Sequence, residues 1–276
     1  MEISFELDKT ENTNNRIIEK KMKIKKMMMA ALAALMVPAA VWAQESDDNG
    51  VYAELNADLV SSYIWHGQDL GGISVQPSLT VGWKDLSLNV WGSAGIGNES
   101  HREMDLTLAY ELGGFTFSVC DYWFLGSGET GKFFDYAAHS TLHTLEGSIG
   151  CDFDLFALTW STYFAGADYE QYTQIVQDEN GNEKEETITN FNKRHYTSYI
   201  QLDVPFTIAG FEGLATVGAT PWGSTTYDAN RFMVCEASVA LSKEIKVTPT
   251  FSLNAMGKVV VNPATESTFF VFGLGF

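Results

Sequence analysis

Apolar and polar residues alternate along most of the chain after residue 50, with the period of two that a half-buried β-strand produces. The clearest stretch has apolar residues at every second position: Met104, Leu106, Leu108, Tyr110 and Leu112. The segments that begin at Leu86 and Met233 repeat this pattern. Residues that favour strands are abundant, and no 3.6-residue period follows a helix cap. The pattern therefore predicts an all-β chain.

Twelve strands are predicted, at about 51–65, 75–84, 86–95, 102–112, 115–124, 141–153, 155–166, 195–206, 212–220, 231–242, 247–261 and 267–276. Tight turns alternate with longer connections. The tight turns lie at 84–85, 113–114, 152–155, 207–211 and 243–246, and the longer connections at 66–74, 96–101, 125–140, 167–194, 221–230 and 262–266. This alternation and the even strand number are typical of bacterial outer-membrane barrels. We expect a transmembrane antiparallel up-and-down β-barrel with short periplasmic turns, long extracellular loops and both termini in the periplasm.

Aromatic residues gather near both ends of the predicted strands. Toward the long connections they are Tyr63, Trp65, Tyr122, Trp123, Phe124, Tyr163 and Phe164, and toward the tight turns Trp83, Phe115, Phe153, Phe206 and Phe276. Two such girdles mark the headgroup levels of a bilayer. A soluble β-sandwich or lipocalin-like barrel would instead fill its interior with bulky apolar side chains. We therefore expect the apolar faces to contact outer-membrane lipid.

The last predicted strand carries Phe270, Phe272, Leu274 and Phe276 on one face. It resembles the terminal strand that the barrel-assembly machinery recognises, so that machinery is an expected partner during biogenesis. At the other end, a lysine cluster at 20–26 precedes an apolar stretch that ends near Val41-Trp42-Ala43. This is the pattern of a secretory signal peptide. Residues 1–43 are the predicted signal region, in which those before Met22 suggest a mis-assigned start, and 44–276 the barrel.

Acidic residues dominate the predicted barrel domain. Residues 44–276 contain ten Lys and Arg against thirty Asp and Glu, a formal net charge of −20. Such a surface repels nucleic acid, which is excluded as a partner. The three cysteines lie in predicted strands, with Cys151 and Cys235 in the apolar register. We expect them to act as small hydrophobic residues, and we predict no metal or cofactor.

One segment is similar to a known family. Residues 61–68, Ser-Ser-Tyr-Ile-Trp-His-Gly-Gln, followed by Gln76-Pro77-Ser78-Leu79, resemble the opening hairpin of the TorF-type porins, and His143-Thr144-Leu145-Glu146 resembles a later segment of that family. The resemblance implies an outer-membrane barrel of channel type and names no substrate. The family typically has arginine where this chain has His66. With Trp65 and His66 at the pore mouth, the charge of the constriction would depend on pH if His66 faces the lumen.

The polar register gives the predicted lumen an acidic lining. Its charged residues are Glu54, Asp58, Glu103, Asp105, Glu111, Glu146, Asp203 and Glu236, with Lys258 as the clearest basic one. Charged rings in a pore select by sign. We predict a porin-like channel for passive diffusion of small solutes, favouring cations or neutral polar solutes.

Three other interpretations stay open. The barrel could be plugged by its own side chains and loops, with a structural or partner-docking role. His101, Glu103 and Asp105 share a strand face at a spacing that could hold a divalent cation, although solvated alternation is commoner. His143 near Ser140 suggests a lipid-modifying acyl hydrolase, but their odd spacing separates them on a strand. We therefore expect the protein not to be an enzyme.

Overall fold

The computed structural model describes residues 50–97, 101–177, 183–249 and 251–276. Within these ranges the chain forms sixteen strands: β1 (Val51–Val60), β2 (Tyr63–Trp65), β3 (Gln68–Gly71), β4 (Ser74–Trp83), β5 (Leu86–Gly95), β6 (Arg102–Leu112), β7 (Phe115–Leu125), β8 (His143–Asp152), β9 (Ala157–Gly166), β10 (Tyr169–Gln177), β11 (Glu183–Arg194), β12 (Ser198–Ile208), β13 (Phe211–Thr220), β14 (Met233–Thr248), β15 (Phe251–Asn262) and β16 (Ser267–Gly275). None of the described residues belongs to a helix long and apolar enough to cross a membrane. The predicted signal region lies outside these ranges.

Twelve of these strands form a closed antiparallel barrel in the order β1-β16-β15-β14-β13-β12-β9-β8-β7-β6-β5-β4. The predicted all-β class, strand number and up-and-down topology are confirmed. The seam joins Asp58, Leu59 and Val60 of β1 to Gly275, Leu274 and Gly273 of β16. Backbone hydrogen bonds also run in both directions between Ala57 and Phe276. The seam matters because an unpaired backbone amide in hydrocarbon costs several kcal/mol.

Two predicted boundaries are wrong. The first wall strand ends at Val60 rather than at residue 65, because the chain leaves the wall there to form a separate hairpin. The turn predicted at 243–246 lies within β14, where Lys243 to Lys246 pair with Ala255 to Ser252 of β15. Charged residues indicated a turn, but exposed positions of a paired strand carry them equally well.

The outer surface of the barrel is apolar. Outward side chains along the strands are largely aliphatic or aromatic, including Leu55, Leu79, Leu88, Leu108, Val119, Leu158, Val217, Val239, Val259 and Phe270. Buried polar residues such as Gln76, Ser93, Thr216 and Ser238 alternate with them and point inward. A barrel that is apolar outside and polar inside suits a lipid environment.

The two predicted aromatic girdles have different outcomes. At the end with the short turns, Trp83, Phe115, Phe153 and Phe276 are exposed on the outside, as predicted. At the end with the long loops, Phe164 is exposed, but five residues assigned to that girdle are buried or partly buried inside the barrel: Tyr63, Trp65, Tyr122, Phe124 and Tyr163. Tyr122 and Tyr163 occupy the inward register of β7 and β9, so the prediction of their outward position was wrong. Trp160 and Trp222 lie outside instead, with ring centroids 5.9 Å apart.

The long connection predicted at 167–194 contains strands β10 and β11, which pair only with each other among the described strands. The sequence pattern had indicated a loop here. Tyr172, Ile175 and Phe191 of this hairpin are exposed. Of its predicted turn-rich tip, residues 178–182 lie outside the described ranges.

The two faces of β6 can be tested with one substitution at adjacent positions. Leu108→Arg places a charge on the outer face, where the side chain is now 51% exposed. Near the middle of the bilayer this should cost about 2–4 kcal/mol of unfolding free energy, measured by denaturant titration in lipid vesicles. Ala109→Arg is the matched control, because Ala109 lies between Ser87 and Ser118 on the inner face. Equal losses of unfolding free energy at both positions would contradict the assigned faces.

Candidate functional site

A hairpin inside the barrel occupies the end of the lumen that carries the long loops. We call residues 63–71, which comprise β2, the turn His66-Gly67 and β3, the lumen hairpin. Trp65 pairs with Gln68, and both turn residues have positive φ, 49° at His66 and 76° at Gly67. Such a pair matches a type I′ turn, in which glycine is favoured and histidine is one of the tolerated residues.

The lumen hairpin contacts inward side chains on opposite sides of the barrel. On one side, the ring of Tyr63 lies 5.5 Å from that of Trp91, and Trp65 meets Tyr122 edge-on at 5.9 Å. On the other side, Ile64 belongs to a buried apolar cluster with Val60, Val260 and Val271. Since these partners come from β5, β7, β15 and β16 as well as β1, the hairpin fills this end of the lumen.

The tip of the lumen hairpin is held by aromatic stacking. The His66 ring lies between those of Trp65 and Tyr199, with centroid distances of 3.9 and 3.7 Å. Its Nδ1 is hydrogen-bonded to the hydroxyl of Tyr227 at 2.7 Å. Burial, with a smaller contribution from the charge of Lys258, holds the pKa of His66 well below its usual value. The imidazole is therefore neutral when the tip is docked.

Gly67 meets the barrel wall directly. Its carbonyl accepts a hydrogen bond from Asn262 Nδ2 at 3.0 Å. A Cβ at this position would lie 2.0 Å from the backbone oxygen of Cys235. The register of β14 shifts here, because Gly218 pairs with Glu236 while Ala219 pairs with Val234. The irregularity leaves Cys235 as an extra residue, buried against Tyr199 and Tyr227, which corrects its predicted outward position.

The predicted pore-lining residues lie on the inner face. Glu103, Asp105, Glu146, Asp203 and Glu236 are buried, Glu54, Asp58 and Glu111 are partly buried, and the Lys258 side chain is 11% exposed. Trp65 and His66, predicted at the pore mouth, lie in the lumen hairpin. That these residues line a conducting pore stays a prediction.

Several of the inward carboxylates have protein partners. Tyr122 and Ser148 donate to Glu146 Oε1, at 3.0 and 3.2 Å. Gln201 and Thr216 donate to the two oxygens of Asp203, at 2.7 and 2.6 Å. These bonds fix the two carboxylates in place against the wall.

Glu236 has a cationic partner on the inner face. Its Oε1 lies 2.8 Å from Lys258 Nζ and also accepts from Ser238 at 2.6 Å. Among the described residues, Glu103 Oε2 and Asp105 Oδ1 are buried without a hydrogen-bond partner. The interior therefore keeps an excess of acidic groups.

The histidines do not form the other predicted sites. His101 Nε2 contacts Ser93 Oγ at 2.6 Å, and no group of acidic, histidine or cysteine residues in the described ranges has the geometry of a metal site. His143 Nδ1 contacts Asp121 at 2.8 Å, and its Nε2 contacts the Phe133 carbonyl. Ser140 is instead 3.5 Å from the Asp135 carboxylate. Both nitrogens of His143 are thus engaged elsewhere, without the serine contact that a hydrolase requires. The three cysteines are free.

Tyr199, Tyr227 and Asn262 were not identified from the sequence. Tyr227 is separated from His66 by 161 positions and Asn262 from Gly67 by 195. No local pattern indicates contacts over such distances. The His66-Gly67 pair could have predicted the turn, because histidine tolerates the left-handed conformation and glycine favours it in a two-residue hairpin turn.

Fold and interior together define a closed β-barrel with an apolar exterior and an acid-rich lumen. No protein-family model matches the sequence, and no curated protein matches it. The resemblance to the TorF-type porins therefore stays a prediction.

Solved structures with a similar architecture include a porin and an outer-membrane protein. The NanC porin has 11% identity over 80% of this chain and 97% of its own, with a TM-score of 0.38. OccK1 (OpdK) from Pseudomonas aeruginosa has 12% identity over 85% of this chain and 67% of its own, with a TM-score of 0.33. A structure of OpdK with vanillate has the same identity and TM-score, with 66% of its chain covered. Similarity this low carries no argument about the function of the present chain.

The close fit of the tip can be tested at Gly67. Gly67→Ala places a Cβ against the Cys235 carbonyl and strains a residue with φ of 76°. We expect the tip to leave its pocket, so that amides in 63–71 exchange with deuterium about tenfold faster or more. Gly72→Ala is the control, since no atom lies within 4 Å of its added Cβ. Unchanged exchange in Gly67→Ala would contradict the docked tip.

Proposed function

We propose that this protein is an outer-membrane channel through which small solutes diffuse passively, with a preference for cations or neutral polar solutes. The observation that carries the proposal is the combination of an apolar exterior with an acid-rich interior in one closed barrel. A barrel with a purely structural role needs the first feature but gains nothing from eight inward carboxylates. A channel for cations needs both.

The charge of the lumen supports the direction of the selectivity. Lys258, the basic residue predicted to line the lumen, is paired with Glu236, so its charge does not offset the remaining acids. Asp105 and Glu103 lie near each other on β6, with one oxygen each unpartnered. A permeating cation can lower the electrostatic energy of these groups, whereas an anion raises it.

The lumen hairpin limits passage at one end. In the orientation that we propose, the long loops and this hairpin lie on the extracellular side, and both termini lie in the periplasm. A solute must pass between the hairpin and the wall, or wait until the tip leaves its pocket. The channel is consequently narrow, and its conductance is small while the tip is docked.

A second candidate is a structural or partner-docking barrel. Two observations favour it: the hairpin that occupies one end of the lumen, and the exposed residues of the β10–β11 hairpin. The candidates differ in a single measurable property, because only the first moves ions across a bilayer.

Planar-bilayer recording provides the test. The purified protein should give discrete conductance steps, larger in Gly67→Ala, with a reversal potential that favours cations in an about tenfold KCl gradient. Asp105→Asn or Glu103→Gln should move that potential toward zero, because each removes a lumen charge. Asp85→Asn, an exposed turn residue, is the matched control and should leave it unchanged.

The structural candidate makes the opposite prediction. Silence across several voltages, both in the unaltered protein and after release of the tip by Gly67→Ala, would refute the channel. Conductance without cation preference would retain the channel and reject the selectivity.

A further inference from the structure

We infer that Tyr227 and Asn262 position the tip of the lumen hairpin, and that loss of their hydrogen bonds to the tip opens the barrel to solutes. This inference rests on the proposed channel function. It assigns the control of passage to two side chains that approach the hairpin from different parts of the chain.

The first step concerns how the lumen hairpin is attached. Strands β2 and β3 form a two-stranded sheet of their own and share no backbone ladder with the barrel wall among the described strands. The base of the hairpin is fixed, because Ser61 exchanges hydrogen bonds with Phe272 of β16 through its backbone nitrogen and its hydroxyl. Beyond that anchor, side-chain contacts and the bond at the Gly67 carbonyl hold the hairpin. It can therefore move as a unit about its base without breaking the barrel.

Tyr227 reaches the tip from a loop rather than from the wall. It lies in the connection 221–232, is 1% exposed, and hydrogen-bonds His66 at 2.7 Å. Its ring also stacks on Tyr199 at 5.1 Å. The loop is fixed behind it, since Ser224 pairs with Ala229 and contacts Thr197 Oγ1 at 3.1 Å. Tyr227 thus connects a loop of the long-loop end to the position of the tip.

Asn262 provides the second attachment, and its side-chain nitrogen and oxygen bind different partners. Its Nδ2 donates to the Gly67 carbonyl, and its Oδ1 accepts from the backbone nitrogens of Ala264 and Thr265, at 2.9 and 3.2 Å. The oxygen supports the β15–β16 connection, while the nitrogen alone touches the hairpin. The two roles can therefore be separated by one substitution.

Two conservative variants test the inference. Tyr227→Phe keeps the ring and removes the hydroxyl that meets His66. Asn262→Asp keeps an acceptor for Ala264 and Thr265 and removes the donor to Gly67. Each should make deuterium exchange in 63–71 about tenfold faster and should increase the conductance or its open fraction. Tyr172→Phe, at an exposed position of β10, is the control and should change neither.

The two readouts distinguish this inference from the channel proposal. Unchanged exchange in both variants, with an intact barrel, would overturn the positioning role. Faster exchange with unchanged conductance, in a protein that conducts, would overturn the control of passage. Faster exchange in a protein that conducts in no form would reject the channel proposal, while Tyr227 and Asn262 would remain the residues that position the tip.

A pH titration adds a further test, because a merely structural role of the tip contacts would not make docking depend on pH. The groups that face His66 are Trp65, Tyr199 and Tyr227, with Lys258 as the nearby charge and Glu236 as its partner. Docking holds the pKa of His66 below its ordinary 6.5, so protonation favours the undocked tip. Docking should therefore be strongest above pH 6.5 and weaken as the pH falls below it.

His66→Asn separates the protonation of His66 from that of the lumen carboxyls Glu103 and Asp105. Asparagine tolerates the left-handed conformation, and Asn-Gly is a favoured type I′ turn, so the hairpin should form. Acid should accelerate exchange in 63–71 in the unaltered protein relative to His66→Asn, because protonation of the buried Glu103 and Asp105 favours docking equally in both proteins. An equal acid response in both proteins would show that His66 does not sense the pH.

Discussion

The structure depends on one constraint, which is that each wall strand must find backbone partners on both edges. In hydrocarbon no water replaces a missing partner, so twelve strands have to close on themselves. The bonds between Ala57 and Phe276 belong to the seam at which this happens. Closure then fixes the chemistry of both surfaces, because alternate side chains point to lipid and to the lumen. It also creates an enclosed volume, which in this protein the lumen hairpin fills at one end.

The period-two pattern predicted the wall well because it reports this alternation directly. It did not show where the chain leaves the wall, because Tyr63, Ile64 and Trp65 are residues that favour strands and extend the first predicted strand. Within β2, successive side chains point to opposite sides of the lumen hairpin: Ile64 packs on Val260, while Tyr63 approaches Trp91. A strand inside a barrel and a strand in its wall look alike locally. Long-range docking decides between them, and partners such as Tyr227 and Asn262 are 161 and 195 positions away from the residues they bind.

A second limit of the sequence pattern is that assigning every second residue to the same face assumes an unbroken strand register. The irregularity between β13 and β14 adds Cys235 on one side, and the residue expected to face lipid is buried beside the tip. A bulge of this kind re-aims a side chain and exposes a backbone carbonyl. Here that carbonyl lies against Gly67, where only a residue without a Cβ fits. The bulge and the glycine are thus complementary, although neither predicts the other.

The acids of the lumen oppose the docking of the hairpin. Tyr63 of the docked hairpin lies near Glu103 and Asp105, which are buried with one oxygen each left unpartnered. Burial of such groups costs free energy that water would return on undocking. Stacking at His66 and the bonds from Tyr227 and Asn262 act in the opposite direction. Because the two contributions oppose each other, the loss of the Tyr227 hydroxyl or the protonation of His66 shifts the equilibrium toward the undocked tip.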